Sequence, residues 1–157
     1  MKTVLFCIHK KSPFYQVIPN ALRSLGYKVY IFDYYQPELS IRLLGLTNNF
    51  IKLDPNREFI NKKINTSLVK RVAKVKPDYL LVIKGLHFYN STIEEIKKLN
   101  VTTINWFQDL LEFMPWLKEH GRRYDYLFSP DPLMLRVLNN NKIRSYLLPL
   151  ASEPDSV

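Results

Sequence analysis

The chain has 157 residues, 46% of them hydrophobic, and 23 Lys and Arg against 14 Asp and Glu, for a formal charge of +9. That length suits one domain with a full core, and that composition excludes an unfolded polar tail. The lone cysteine, Cys7, excludes an intrachain disulfide, and no apolar run is long enough to span a bilayer or to serve as a signal peptide.

The first element is "TVLFCI" (3–8), a continuous apolar run with Val and Ile that reads as a strand buried on both faces. Phe14, Val17, Ile18, Ala21, Leu22 and Leu25 then recur at helical spacing, with Ser12 as cap, Pro13 at the first position and Gly26 at the end. Pro19 falls inside this helix, where it removes a hydrogen bond, so a kink or a later start is expected. "KVYIFDYY" (28–35) is the second strand. In 36–54, "ELSIRLLGL" suggests a short amphipathic helix. Asp54 and Pro55 open a long helix whose buried stripe is Ile60, Ile64, Leu68 and Val72.

"DYLLVIKG" (78–85) is the third strand, and Ser91 with Glu94 reads as a capping box for the helix carrying Ile93, Ile96 and Leu99. "VTTINWFQ" (101–108) is the fourth strand, followed by a short helix ending at Gly121. "DYLFSP" (125–130) is the fifth. Asp131 and Pro132 open a helix to about Leu138, and "RSYLLPL" (144–150) is the sixth strand. The tail "ASEPDSV" has no periodicity.

Strands alternating with helices define an α/β, Rossmann-like three-layer sandwich on a six-stranded parallel sheet. The expected strand order is 3-2-1-4-5-6, with one domain over 1–150 and a linker start or disordered tail over 151–157.

In such sheets ligands bind beyond the carboxyl ends of the strands. The residues expected there are His9, Lys10 and Lys11 after strand one, Asp33 after strand two, Lys84 and His87 after strand three, Trp106, Gln108 and Asp109 after strand four, and Ser129 and Asp131 after strand five. "TTINWFQDL" (102–110) runs from core into this edge, which explains why an apolar strand ends on an acid among aromatics. Each residue also has a plain structural role open to it: His87 as a loop histidine, Trp106 as core filler, Asp109 as a helix cap. "HKKSPF" follows strand one where a dinucleotide site needs G-x-G-x-x-G, so a nicotinamide cofactor is not expected. P-loop, serine-elbow and metal-ligand patterns are absent as well.

"KPDYLLVIKG", "TTINWFQDL", "YDYLFSPD" and "YLLPLASEPD", in this order over residues 76–155, resemble the N-terminal half of GT-B glycosyltransferases, nearest to the spore-maturation-like (CgeB-like) group. The resemblance implies an acceptor-binding Rossmann-like half of a sugar-nucleotide-dependent enzyme, inactive by itself. In this reading Asp109 and His87 are the catalytic candidates, and His9, Lys84, Trp106, Gln108, Ser129 and Asp131 contact the acceptor. No cofactor is expected on this chain. The sugar nucleotide belongs to a C-terminal GT-B domain supplied in cis or in trans, and the acceptor is a glycan or a lipid-linked or protein-linked group. The alternative is a non-catalytic Rossmann-like module for a small ligand or protein partner.

Between Arg57 and Lys76 lie seven basic residues and one acid, Glu58. Such a face is either a solvated helix surface or a contact for an acidic partner. The chain lacks helix-turn-helix, zinc-finger and RNP signatures, which argues against nucleic acid. The expected location is the cytoplasm, with peripheral membrane contact through the basic helix as an extension of that reading.

Overall fold

The computed structural model describes residues 1–34, 55–109 and 114–150. The element order is β1 (Thr3–Ile8), α1 (Phe14–Ser24), β2 (Lys28–Asp33), α2 (Pro55–Val75), β3 (Tyr79–Ile83), α3 (Asn90–Lys97), β4 (Thr102–Trp106), α4 (Met114–His120), a short 3-10 turn (Gly121–Arg123), β5 (Tyr126–Ser129), α5 (Pro132–Asn140) and β6 (Ser145–Leu147). All six strands are parallel, so the α/β Rossmann-like architecture read from the sequence is the one observed.

The strand order differs from the expected one. It is β2-β1-β3-β4-β5-β6, with β1 pairing to β2 on one side and to β3 on the other. The reason lies in burial. Leu5 to Ile8 of β1 are fully buried, as an inner strand requires, whereas Lys28 of β2 is exposed and no residue of that strand is buried. A strand with one wet margin suits the sheet edge, so the chain after β2 passes back over β1 before adding β3.

Right-handed crossovers then send α1 to one face and the later helices to the other. Packing agrees. Phe14, Tyr15 and Ile18 of α1 lie against Phe6, Ile8 and Ile83. Leu68 and Val72 of α2, with Ile93 and Ile96 of α3, lie against Leu5, Cys7, Leu80 and Val82. Leu117 of α4 and Met134 and Leu138 of α5 close over Leu127. On the α1 face of the far strands, Tyr126 and Phe128 meet Tyr146 at ring distances of 6.1 and 5.5 Å.

Several local readings need adjustment. Pro19 neither breaks nor delays α1, which runs through it from Phe14. The N-cap is Pro13 and not Ser12, one residue later than expected, although Ser12 Oγ still accepts from Phe14 N and its carbonyl from Tyr15 N. Ser91 and Glu94 do not form a capping box. The N-cap is Tyr89, two residues earlier, the helix entry is held by Asn65 Oδ1 accepting from Tyr89 N at 2.9 Å, and Glu94 pairs with Arg123. The proposed helix in 36–54 and the Asp54 cap lie outside the described residues.

Two aspartates clamp the amino ends of the strands. Asp78 accepts from Thr3 N at 2.7 Å and from Lys2 Nζ at 3.0 Å, tying β3 to β1. Asp125 accepts from Thr103 N at 2.8 Å and Thr103 Oγ1 at 2.9 Å and pairs with Lys97 at 2.7 Å, tying β5 to β4. The Thr3 amide and the Lys2 ammonium hold the Asp78 carboxyl below its ordinary value. Burial alone would raise Asp125, but the bonds from Lys97 and Thr103 outweigh it and hold it low as well.

A depressed carboxyl contributes stability that is complete above its unfolded value, near 4, and lost as pH falls through the lower folded value. His120 is lowered by burial, against Trp116 at 4.7 Å, so its contribution is complete above its unfolded value, near 6.5, and fades as pH falls below it. Urea midpoints followed against pH should therefore decline gently below pH 6.5 and steeply below about pH 4. Asp125→Asn should lower stability at neutral pH by about 1–2 kcal/mol, reduced by its partial exposure, and flatten the acid limb. An unchanged acid limb would remove the clamp from this account.

Candidate functional site

A cavity of about 540 Å³ opens at the carboxyl edge of the sheet, where β1, β3 and β4 end. It lies at the point where strand order reverses between β1 and β3, the place at which the flanking helices diverge to opposite faces and leave a crevice. Its polar lining is His9, Lys11, Ser12, Lys84, His87, Gln108 and Asp109, over an apolar floor that includes Ile8, Phe14, Tyr34 and Ile83.

Of the eight residues expected at the site, five line this cavity: His9, Lys84, His87, Gln108 and Asp109. The other three do not. Trp106 lies one residue off the edge and packs on Phe14 at 6.0 Å, so it is a wall of the α1 core. Ser129 is fully buried, with its Oγ donating to Met134 Sδ and accepting from Asp131 N. Asp131 caps α5 by accepting from Leu133 N at 2.8 Å. Strand β5 is two strands away from the crevice, which is why its end residues do structural work.

The cavity centres on an ion pair. Lys84 Nζ and Asp109 Oδ1 are 2.6 Å apart, with 46% and 19% of their side chains exposed. Asp109 is thus partly accessible and bonded to an ammonium. Lys84 reaches it from a left-handed backbone, φ 64°, followed by Gly85 at φ 82°. For lysine this conformation costs about 1 kcal/mol or more and needs support. Buried Asn105 supplies it, donating from Nδ2 to Lys84 O at 3.0 Å, while Lys84 N donates to Trp106 O. A side chain at residue 85 would meet Val82 Cγ1 at 2.8 Å and the Tyr124 hydroxyl at 3.1 Å.

The two histidines are held at Nδ1 in opposite senses, one accepting and one donating, as assigned from their partners. His9 Nδ1 accepts from Lys11 N at 3.0 Å, which places its proton on Nε2. His87 Nδ1 lies 3.0 Å from Asn61 Oδ1, an acceptor, so Nδ1 donates in this contact. Asn65 fixes the same loop by donating to His87 O at 2.8 Å. Tyr34 spaces the two rings, 6.3 Å from His9 and 5.7 Å from His87. Burial pushes its phenol up, and it donates as a neutral hydroxyl to Ile83 O. Gln108 Nε2 is buried without a hydrogen-bond partner among the described residues. Asp33 is tied to the loop after β1 by Lys10 N, which donates to its Oδ1 at 3.3 Å.

The arrangement offers an imidazole, a carboxylate, an ammonium and amide groups around an apolar floor. That set can orient a hydroxyl and remove its proton. Sequence reasoning missed Tyr34, Asn61 and Asn105. For Asn105 a signal was present, because an asparagine in the middle of an apolar strand must find a buried partner.

No protein-family model matches the sequence, and no curated protein matches it. Among solved structures the fold is similar to Glycyrrhiza uralensis UGT73P12, a plant UDP-glycosyltransferase, crystallised with glycyrrhetinic acid 3-O-monoglucuronide. The TM-score is 0.53 at 11% identity, over 92% of this chain and 42% of that one. The chain shares a Rossmann-like fold with that neighbour and spans about two fifths of its length.

Gly85→Ala should cost at least about 2 kcal/mol, since it combines a left-handed φ with a contact no Cβ tolerates. Lys84→Gly should change stability by less than about 1 kcal/mol, because relief of strain offsets added chain entropy. Thermal and urea unfolding of both variants checks the assignment; equal effects would mean that the turn is not strained as described.

Proposed function

We propose that this chain is the acceptor-binding, N-terminal half of a sugar-nucleotide-dependent glycosyltransferase. The observation that carries the reading is the cavity at the strand-order reversal of a glycosyltransferase-like fold, with Asp109 and His87 both in its lining. Asp109 accepts a hydrogen bond from the acceptor hydroxyl, Lys84 holds the carboxylate in place, and Gln108 supplies an amide to a second polar group. As the hydroxyl oxygen bonds to the anomeric carbon, the bond from that carbon to the nucleotide phosphate breaks. The hydroxyl proton passes to the Asp109 carboxylate, and His87 orients the acceptor beside it. The nucleotide is held by the other half of the enzyme, since the loop after β1 lacks the glycines that bring a backbone close to a pyrophosphate. The four-motif resemblance to the CgeB-like group supports the same assignment of halves.

Two measurements test this reading. Calorimetry of the chain with UDP-, GDP- and dTDP-sugars should show no micromolar binding, and a clear micromolar signal would assign it to the nucleotide half. In the intact enzyme Asp109→Asn should lower turnover on the order of 100-fold. Stability should fall by less than about 1 kcal/mol, as for a partly exposed ion pair. Unchanged turnover would make the Lys84–Asp109 pair structural and favour a non-catalytic binding module.

A further inference from the structure

The site leaves the basic run of α2 unused. At about 100° per residue, Phe59, Lys63, Ser67, Lys70 and Lys74 fall on one side of this helix, roughly 100–180° from Leu68, which is fully buried in the core, and Arg71 flanks them next to Tyr30 of β2. Lys70 and Lys74 are exposed, Lys63 and Arg71 partly so. Lys28 of the edge strand β2 extends the patch: its Nζ lies 5.2 Å from the Tyr30 ring and the Arg71 guanidinium 5.7 Å from the same ring. At the amino end Phe59 is 50% exposed, with Lys63 Nζ 5.4 Å from its ring. From Phe59 to Lys74 the stripe is about 22 Å long at 1.5 Å per residue.

The acids near α2 lie off this stripe. Glu58 and Glu95 line the groove between α2 and α3 with Lys62, and Lys70 stands at the boundary between that groove and the stripe. Toward β2 the described surface of α2 carries cations and one serine.

We propose that this face of α2, with Lys28, is a docking surface for the anionic headgroups of a phospholipid bilayer. Charge complementarity selects an anionic partner, and geometry selects a flat one. The stripe runs along one helix, carries the exposed Lys70 and Lys74, and ends in a half-exposed phenylalanine suited to the headgroup boundary. A single-stranded nucleic acid would need rings spaced along the cations as stacking platforms. Here Tyr30 is partly buried and flanked by two cations, and Phe59 stands alone at one end. The inference does not depend on the transferase reading, but it bears on it. The first turns of α2 reach the cavity, where Asn61 meets His87, so a bilayer along α2 brings the cavity mouth to the headgroup layer.

The test is flotation of the chain with phosphatidylcholine vesicles, with and without phosphatidylglycerol. Binding should require phosphatidylglycerol and weaken at high salt. Each cation at an anionic surface contributes roughly fivefold, so Lys63→Gln with Lys70→Gln and Lys74→Gln should weaken binding on the order of 100-fold. Circular dichroism and the melting temperature verify that this variant folds. A charge-matched variant, Lys98→Gln with Lys118→Gln and Arg136→Gln, should bind as the parent does. Equal losses in the two variants would reduce the effect to net charge and overturn the proposal. So would absence of vesicle binding, or binding to single-stranded DNA or RNA with the same dependence on Lys63, Lys70 and Lys74 and none to vesicles.

Discussion

The pairing of β3 with β1 is the constraint on which the rest of this molecule depends. Leu80 and Val82 sit beside Leu5 and Cys7, so the most apolar strand of the chain acquires neighbours on both sides. With β2 left at the edge, successive right-handed crossovers put α1 on one face and α2 to α5 on the other. The reversal of strand order then falls between β1 and β3, and the crevice it creates receives the loops after β1, β3 and β4. Had β3 paired with β2, His87 and Asp109 would end on opposite sides of β1 and could not share a cavity.

Aspartates at the two ends of the sheet do different work. Asp78 and Asp125 precede their strands and bind the amides of neighbouring strands, so their negative charge is absorbed in fixing register. Asp109 follows its strand and faces an ammonium at the cavity. The "KPD" and "YDY" motifs therefore report the fold, while "WFQD" reports the site. The left-handed Lys84–Gly85 turn links the two, because the same Asn105 that sits in the buried face of β4 holds the strained backbone from which Lys84 reaches Asp109.

Much of this was legible without coordinates. Continuous apolar runs in alternation with helical stripes are enough to define a parallel α/β sheet, since only that arrangement buries both faces of each strand. The positions of His9, Lys84, His87, Gln108 and Asp109 at strand ends placed them on one edge. Ser129 and Asp131 were drawn into the same set because a strand's end is visible in sequence but its place in the sheet is not, and Trp106 because its packing against α1 is not visible either.

The sequence by itself determined the strands, the helices, the edge at which polar residues gather, and the basic stripe of α2, because burial and periodicity are properties of short segments. Strand order, the His87–Asn61 contact and the Lys84–Asp109 pair were decided only in the tertiary structure. Each depends on contacts between residues far apart in the chain, such as Asn61 with His87 or Asn105 with Lys84, and the energy of such a contact exists only once the crossovers have brought its partners together.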